Sequence, residues 1–188
     1  VLKYRLAPAY HHPSQMMDVQ RAVQFARSNA GRYSYRQDRI GVMGFSAGGH
    51  LASVSGTHFT EADPGAADPL LRVTSRPDFL ILVYPVISLV SECTHQGSKA
   101  NLLGDDPEPG LEKKMSSELQ VTPRTPPAFL ILTDEDQAVP AENSVLFYLA
   151  LREAGVPAEM HIFRRGPHGF GLGSLDTTLS MWPHLCKN

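Results

Sequence analysis

Short apolar runs alternate with amphipathic stretches along this chain, and the alternation predicts its elements. Residues 1–6 read as a strand that stops at Ala7-Pro8. Pro13-Ser14 then opens a helix, with Ser14 as its N-cap. Met16, Val19, Val23 and Ala26 recur at helical spacing, so one face of this helix packs on a core, Met16 and Met17 read as packing residues, and Gly31 fits the position just past its end. Residues 40–45 form the next apolar run and pass into a helix reaching about Thr57. Residues 79–84 are continuously apolar, as in a strand buried on both faces of a parallel sheet, and Pro85 limits them. Two more strands are expected at 128–133 and 158–163. Between them, residues 143–154 read as a helix with Val145, Leu146, Leu149 and Ala150 on its apolar face, closed by Gly155.

The connections are equally informative. Residues 61–69 form a loop rich in Ala, Asp and Pro. The long polar segment 91–127 is expected to hold a short helix near 111–119 and to contribute to a binding surface. A last short helix is expected to begin near Leu175 or Asp176, with Trp182 and Leu185 as anchors. Strands alternating with helices predict an α/β fold, a doubly wound and mostly parallel sheet with helices on both faces.

Composition narrows the function. The chain has 188 residues, 42% hydrophobic and 19% charged, with a formal net charge of −2. That is enough for one domain, residues 1–188, with a sizeable core, and it gives no sign of nucleic-acid or acidic-membrane partners. No apolar run approaches the ~20 residues of a membrane span. No signal-peptide pattern is present, so the protein is expected to be soluble, in a compartment left open. Cys93 and Cys186 lack metal or redox spacing and are expected to be free thiols. The eight histidines are scattered, and no metal site is expected. His50 and His58 read as surface or internally satisfied histidines.

Chemistry is concentrated in three places. Gly44-Phe45-Ser46-Ala47-Gly48 has the form of a nucleophile elbow, a sharp strand-to-helix turn with serine at its apex. Its glycines let strand and helix approach closely, and the N–H of Ala47 would point where an oxyanion develops. Asp134-Glu135-Asp136 follows the strand 128–133, and His168 lies in a glycine-flanked loop after the strand 158–163. Serine, acid and histidine after successive strands match the order required of an α/β-hydrolase triad. Among the three carboxylates, Asp136 is preferred over Asp134 and Glu135, because the turn closed by Val139-Pro140 can point it back toward the sheet.

Tyr4-Arg5-Leu6-Ala7-Pro8, Gly44-Phe45-Ser46-Ala47-Gly48-Gly49-His50, Asp136-Gln137-Ala138-Val139-Pro140 and Gly166-Pro167-His168-Gly169-Phe170 together resemble bacterial α/β-hydrolase esterases. Among these the chain is most similar to the acetyl-esterase/lipase group, related to hormone-sensitive-lipase-like and acetyl-xylan-esterase-like enzymes. The resemblance implies Ser46 as nucleophile, His168 as base, Asp136 as acid, Ala47 as one oxyanion donor, a small ester as substrate and no cofactor. It also implies several strands, and a glycine-rich loop carrying the second oxyanion donor, ahead of residue 1. The chain is therefore expected to be N-terminally incomplete relative to the family. Either the 1–6 strand shifts to pair with 40–45, or a second subunit covers that sheet edge in a homo-oligomer. A serine carboxylesterase for short acyl esters, including acetylated carbohydrates, is the leading expectation. The alternatives are a catalytically weak remnant serving as a binding or assembly module, and a prolyl-oligopeptidase-like peptidase.

Overall fold

A computed structural model describes residues 1–173 and 178–186. At its centre four parallel strands run in the order β1 (Gly41–Phe45), β2 (Phe79–Val83), β3 (Ala128–Thr133) and β4 (Ala158–Phe163). Sequence order equals spatial order, so each connection is a crossover that carries helices onto the sheet. The crossovers carry α2 (Ala47–Thr57), then α3 (Gln96–Leu103) and α4 (Leu111–Met115), then α5 (Glu142–Glu153), while α1 (Ser14–Ser28) precedes β1 and α6 (Trp182–Leu185) follows β4. The expected start of the last helix, at Leu175 or Asp176, lies outside the described residues.

The register aligns Val42, Leu80 and Ala128 in one row and Met43, Ile81 and Phe129 in the next. Successive rows face opposite sides of the sheet. On one side Leu80, Leu82 and Leu130 are sealed beneath Ala52 of α2 and Phe147 and Leu151 of α5. On the other, Val83, Phe129 and Ile131 pack with Trp182 of α6. Each such buried side chain contributes about 1.5–3 kcal/mol relative to exposure. β3 is buried at all six positions, whereas β2, the strand expected to be buried on both faces, leaves Phe79 exposed and Ile81 half-buried.

Several expectations need correction. Residues 1–6 do not form a strand, and they do not pair with β1. A strand exists only by laddering its N–H and C=O groups to a neighbour. This segment is instead tied to α1. Arg5 donates from its backbone N–H and its guanidinium to the Asp18 carboxylate, and again from the guanidinium to Ser14 O. Ser14 is the first helical residue rather than the N-cap. Pro13 holds the cap position and no side chain caps the helix. Helix α1 ends at Ser28, with Asn29 as its C-cap, ahead of Gly31.

Helix α5 also turns a different face inward from the one expected. Asn143, Ser144, Phe147 and Leu151 are buried, while Leu149 is 55% exposed. Both cysteines are free thiols. Among the described residues no helix is long and apolar enough to cross a membrane.

Candidate active site

The three groups singled out from the sequence meet beyond the C-terminal ends of β1, β3 and β4. Ser46 occupies the elbow between β1 and α2 at φ 54°, ψ −121°, a conformation rarely tolerated by a residue with a Cβ. Its backbone is held on both sides. Ser46 N–H donates to Val83 O at 3.0 Å, and Ser46 O accepts from the N–H groups of His50 and Val86. The flanking glycines answer to space. A Cβ on Gly44 would lie 1.9 Å from Gly48 O, and one on Gly49 would lie 2.8 Å from Pro85 Cα. Gly48 itself faces nothing nearer than Tyr4 Oη at 4.0 Å.

Ala47 begins α2, and its N–H is one of the first-turn donors that have no acceptor within a helix. No side chain caps that turn. The end of α2 beside the serine hydroxyl therefore presents amide donors and a partial positive charge.

Asp136 sits in the tight turn after β3, buried, while its neighbours Asp134 and Glu135 are exposed. Its Oδ1 accepts the backbone N–H groups of Ala138 and Val139, each at 2.9 Å, which fixes the carboxylate plane. Its Oδ2 faces His168 Nδ1 at 2.6 Å. His168 Nε2 lies 2.8 Å from Ser46 Oγ. An ionised carboxylate only accepts, so His168 Nδ1–H is the donor to Asp136, and the neutral ring accepts the Ser46 hydroxyl proton at Nε2. The geometry brings Asp136, rather than Asp134 or Glu135, to the imidazole.

The loop bearing His168 is fastened at several points. Thr133 Oγ1 donates to Gly166 O at 2.8 Å, joining the acid strand to the histidine loop. Gly166 stands at φ 143°, where a Cβ would strike Thr133 and Leu179 at 2.8 Å. Farther along, Gly171 N–H donates to Tyr84 Oη at 3.1 Å, and Trp182 Nε1–H donates to Gly171 O at 3.0 Å. Tyr84, just past β2, adopts φ 38° and sets its ring edgewise against both His168 and Phe170. Burial pushes the Tyr84 phenol above its ordinary pKa, so it stays protonated.

Sequence reasoning placed Tyr84 in a buried strand and gave it no role at the site. Asn143 was missed as well. Its side chain is fully used inside the protein, with Oδ1 accepting from the N–H groups of Ile87 and Ser88 and Nδ2 donating to Cys93 O and Pro140 O. It thus ties the turn that carries Asp136 to the loop after β2. His50, expected to be a surface or satisfied histidine, is buried and donates from Nε2 to Met115 O at 2.8 Å.

Comparison with known proteins places the chain in a family. The BD-FAE family matches residues 1–151. The chain is 40% identical over 174 residues to endo-1,4-beta-xylanase B of Butyrivibrio fibrisolvens, covering 91% of this chain and 26% of that protein. It is 35% identical over 178 residues to the acetylxylan esterase of Xylanibacter ruminicola, covering 93% and 34%. The chain thus spans about a quarter to a third of these curated relatives. Among solved structures, an acetyl ester-xyloside bifunctional hydrolase from Caldicellulosiruptor lactoaceticus superposes with a TM-score of 0.94 at 48% identity, over 98% of this chain and 67% of that one. A parallel sheet with an elbow serine at its C-terminal end, together with a family match over most of the chain, leads to one conclusion: the chain belongs to the BD-FAE family and has the α/β-hydrolase fold.

Proposed function

We propose that this chain is a serine carboxylesterase that hydrolyses short acyl esters, with acetylated carbohydrates as its natural substrates. The observation that carries the reading is the unbroken hydrogen-bonded line from Ser46 Oγ through the His168 ring to Asp136. A serine hydroxyl near neutral pH is a weak nucleophile until an adjacent base takes its proton. Ser46 Oγ attacks the ester carbonyl carbon while its proton passes to His168 Nε2. The ring, now cationic, is stabilised through Nδ1–H by Asp136. The tetrahedral oxyanion is held by donors at the start of α2, Ala47 N–H among them. Collapse breaks the bond to the alcohol, which leaves with the proton from Nε2. Water then attacks the acyl-enzyme with His168 again as base, releasing the carboxylic acid and restoring Ser46. The cycle consumes one water and no other co-reactant.

The relatives support the carbohydrate side of this reading, since one is an acetylxylan esterase and a solved neighbour is an acetyl ester-xyloside hydrolase. Covalent labelling by a fluorophosphonate, together with p-nitrophenyl acetate hydrolysis, tests it. Both are expected in the wild type and lost in Ser46→Ala. A wild type that neither labels nor turns over faster than the variant would reject the esterase and favour a binding module.

A further inference from the structure

Asparagine is mostly a surface residue, yet Asn143, in the first turn of α5, is 0% exposed. Burying an amide costs free energy unless its groups are paired. Oδ1 accepts from the N–H groups of Ile87 at 2.9 Å and Ser88 at 3.2 Å. Nδ2 donates to Cys93 O at 2.8 Å and to Pro140 O at 3.2 Å. All of these partners are backbone groups. Exchanging the amide oxygen and nitrogen would set N–H against N–H and oxygen against oxygen, so the partners fix which way the side chain faces.

The segments that Asn143 joins hold different members of the triad. Residues 83–88 form a strap against the nucleophile. Val83 O accepts the N–H of Ser46, Val86 N–H donates to Ser46 O, and Tyr84 between them sets its ring against His168. Asn143 bonds the next residues of the strap, Ile87 and Ser88. Pro140, on its other side, closes the turn in which Asp136 Oδ1 accepts from Ala138 and Val139. The backbone N–H of Asn143 donates to the same Pro140 O at 3.1 Å. The ladder between β2 and β3 aligns the strands as far as Val83 and Ile131. Beyond it the strap and the acid turn are irregular chain, and Asn143 bonds both.

We propose that Asn143 is a positioning residue for the triad: it sets the spacing between the strap behind Ser46 and the turn bearing Asp136, and so the alignment of His168 between its partners. The proposal rests on the esterase reading above. Asn143 acts through backbone and touches no substrate. A displacement of about 1 Å at a reacting group can lower a rate about a hundredfold.

The test compares three variants on p-nitrophenyl acetate, each well below its own Tm. Asn143→Ala removes every bond of the side chain and is expected to lower kcat about ten- to a hundredfold, with KM within about twofold. Asn143→Asp keeps an acceptor for Ile87 and Ser88 but loses the donated bonds, so its kcat should fall between those of the wild type and Asn143→Ala. Val23→Ala removes buried volume from α1, which carries no triad residue, and is the control. It should lower Tm and leave kcat within about twofold. A folded Asn143→Ala with kcat within about twofold of the wild type overturns the proposal. So does a loss of kcat that Val23→Ala reproduces, since lowered stability would then account for it, and so does a change confined to KM. Should Asn143→Ala fail to fold, Asn143→Asp decides by the same comparison. A wild type that neither hydrolyses the ester nor takes up a fluorophosphonate removes the esterase reading and this proposal together. With wild-type activity in hand, the variants judge Asn143 alone.

Discussion

The ring of Tyr84 meets the ring of His168 edge-on, with 4.9 Å between centroids, and its hydroxyl accepts the N–H of Gly171 three residues farther along the same loop. One side chain therefore touches the imidazole and fixes the backbone that carries it. It does so from a left-handed conformation, φ 38°, that a tyrosine adopts only when the surroundings impose it.

Tyr84→Phe keeps the ring contact and removes the hydroxyl, so it isolates the hydrogen bond. A net loss of about 0.5–1.5 kcal/mol predicts kcat lower by about two- to tenfold. KM should stay nearly unchanged, because Tyr84 acts through His168 rather than on substrate. Trp182 is the sole tryptophan and grips the same Gly171, so a red shift of its emission should accompany the kinetic change. Unaltered kcat in a folded variant would show that the ring alone suffices.

The two glycines around the serine should behave oppositely. Gly44→Ala drives a methyl group into Gly48 O, with backbone on both sides of the clash, and should give an insoluble or inactive protein. Gly48→Ala meets only an ordinary contact with Tyr4 Oη and sits in the first turn of α2, so it should fold and retain activity. Expression yield and fluorophosphonate labelling of the two variants make the comparison. Equal damage from both would place the constraint outside the close approach.

Asp136→Asn keeps the size of the acid but can offer His168 Nδ1 an N–H instead of an acceptor, which favours the wrong tautomer. A loss of about 10⁴ in kcat is expected. Asp134→Asn, at an exposed position, should change activity little. Steady-state kinetics of the pair decide whether Asp136 is the acid.

Acid should destabilise the fold through His50. Burial pushes its pKa down from 6.5 to about 4. Between these values the unfolded chain binds a proton that the folded chain refuses, so stability falls as pH drops from 6.5 toward 4 and levels off below. The full effect is on the order of 3 kcal/mol. Burial lowers the pKa of His12 and His58 as well, in the same direction. Urea midpoints at pH 7 and pH 5 should differ, and His50→Gln should narrow the gap. Coincident midpoints would count against this account.

The grouping of Ser46, Asp136 and His168 was legible in the sequence, because the elbow combines a motif with a mandatory context. An apolar run must precede it and small helix-forming residues must follow, and here both do. The order of Ser46, Asp136 and His168 then followed from where parallel strands end. Residues 1–6 were misread because strand propensity is local, whereas a strand is a relation between two segments. Helix α5 misled for a different reason. Its inner face begins with Asn143, which bonds the loops around the site, and the buried Ser144, so hydrophobicity pointed to Val145, Leu146, Leu149 and Ala150 instead. The roles of Tyr84 and Asn143 depend chiefly on loop backbone 50 to 87 residues away, and no periodicity encodes that.

The hydrogen bond between Ser46 and His168 closes a sequence separation of 122 residues. It needs β1, β2, β3 and β4 all in register, since Ser46 rises from one edge strand and His168 follows the other. Contacts of such span form late, after the entropy of the intervening chain has been lost. A refolding intermediate with helices and part of the ladder would already absorb like the native protein in the far ultraviolet, yet would hold no assembled nucleophile. Under the proposed esterase reading, return of activity would therefore lag behind return of secondary structure, and the assembled site would serve as the clock for the last strand to dock.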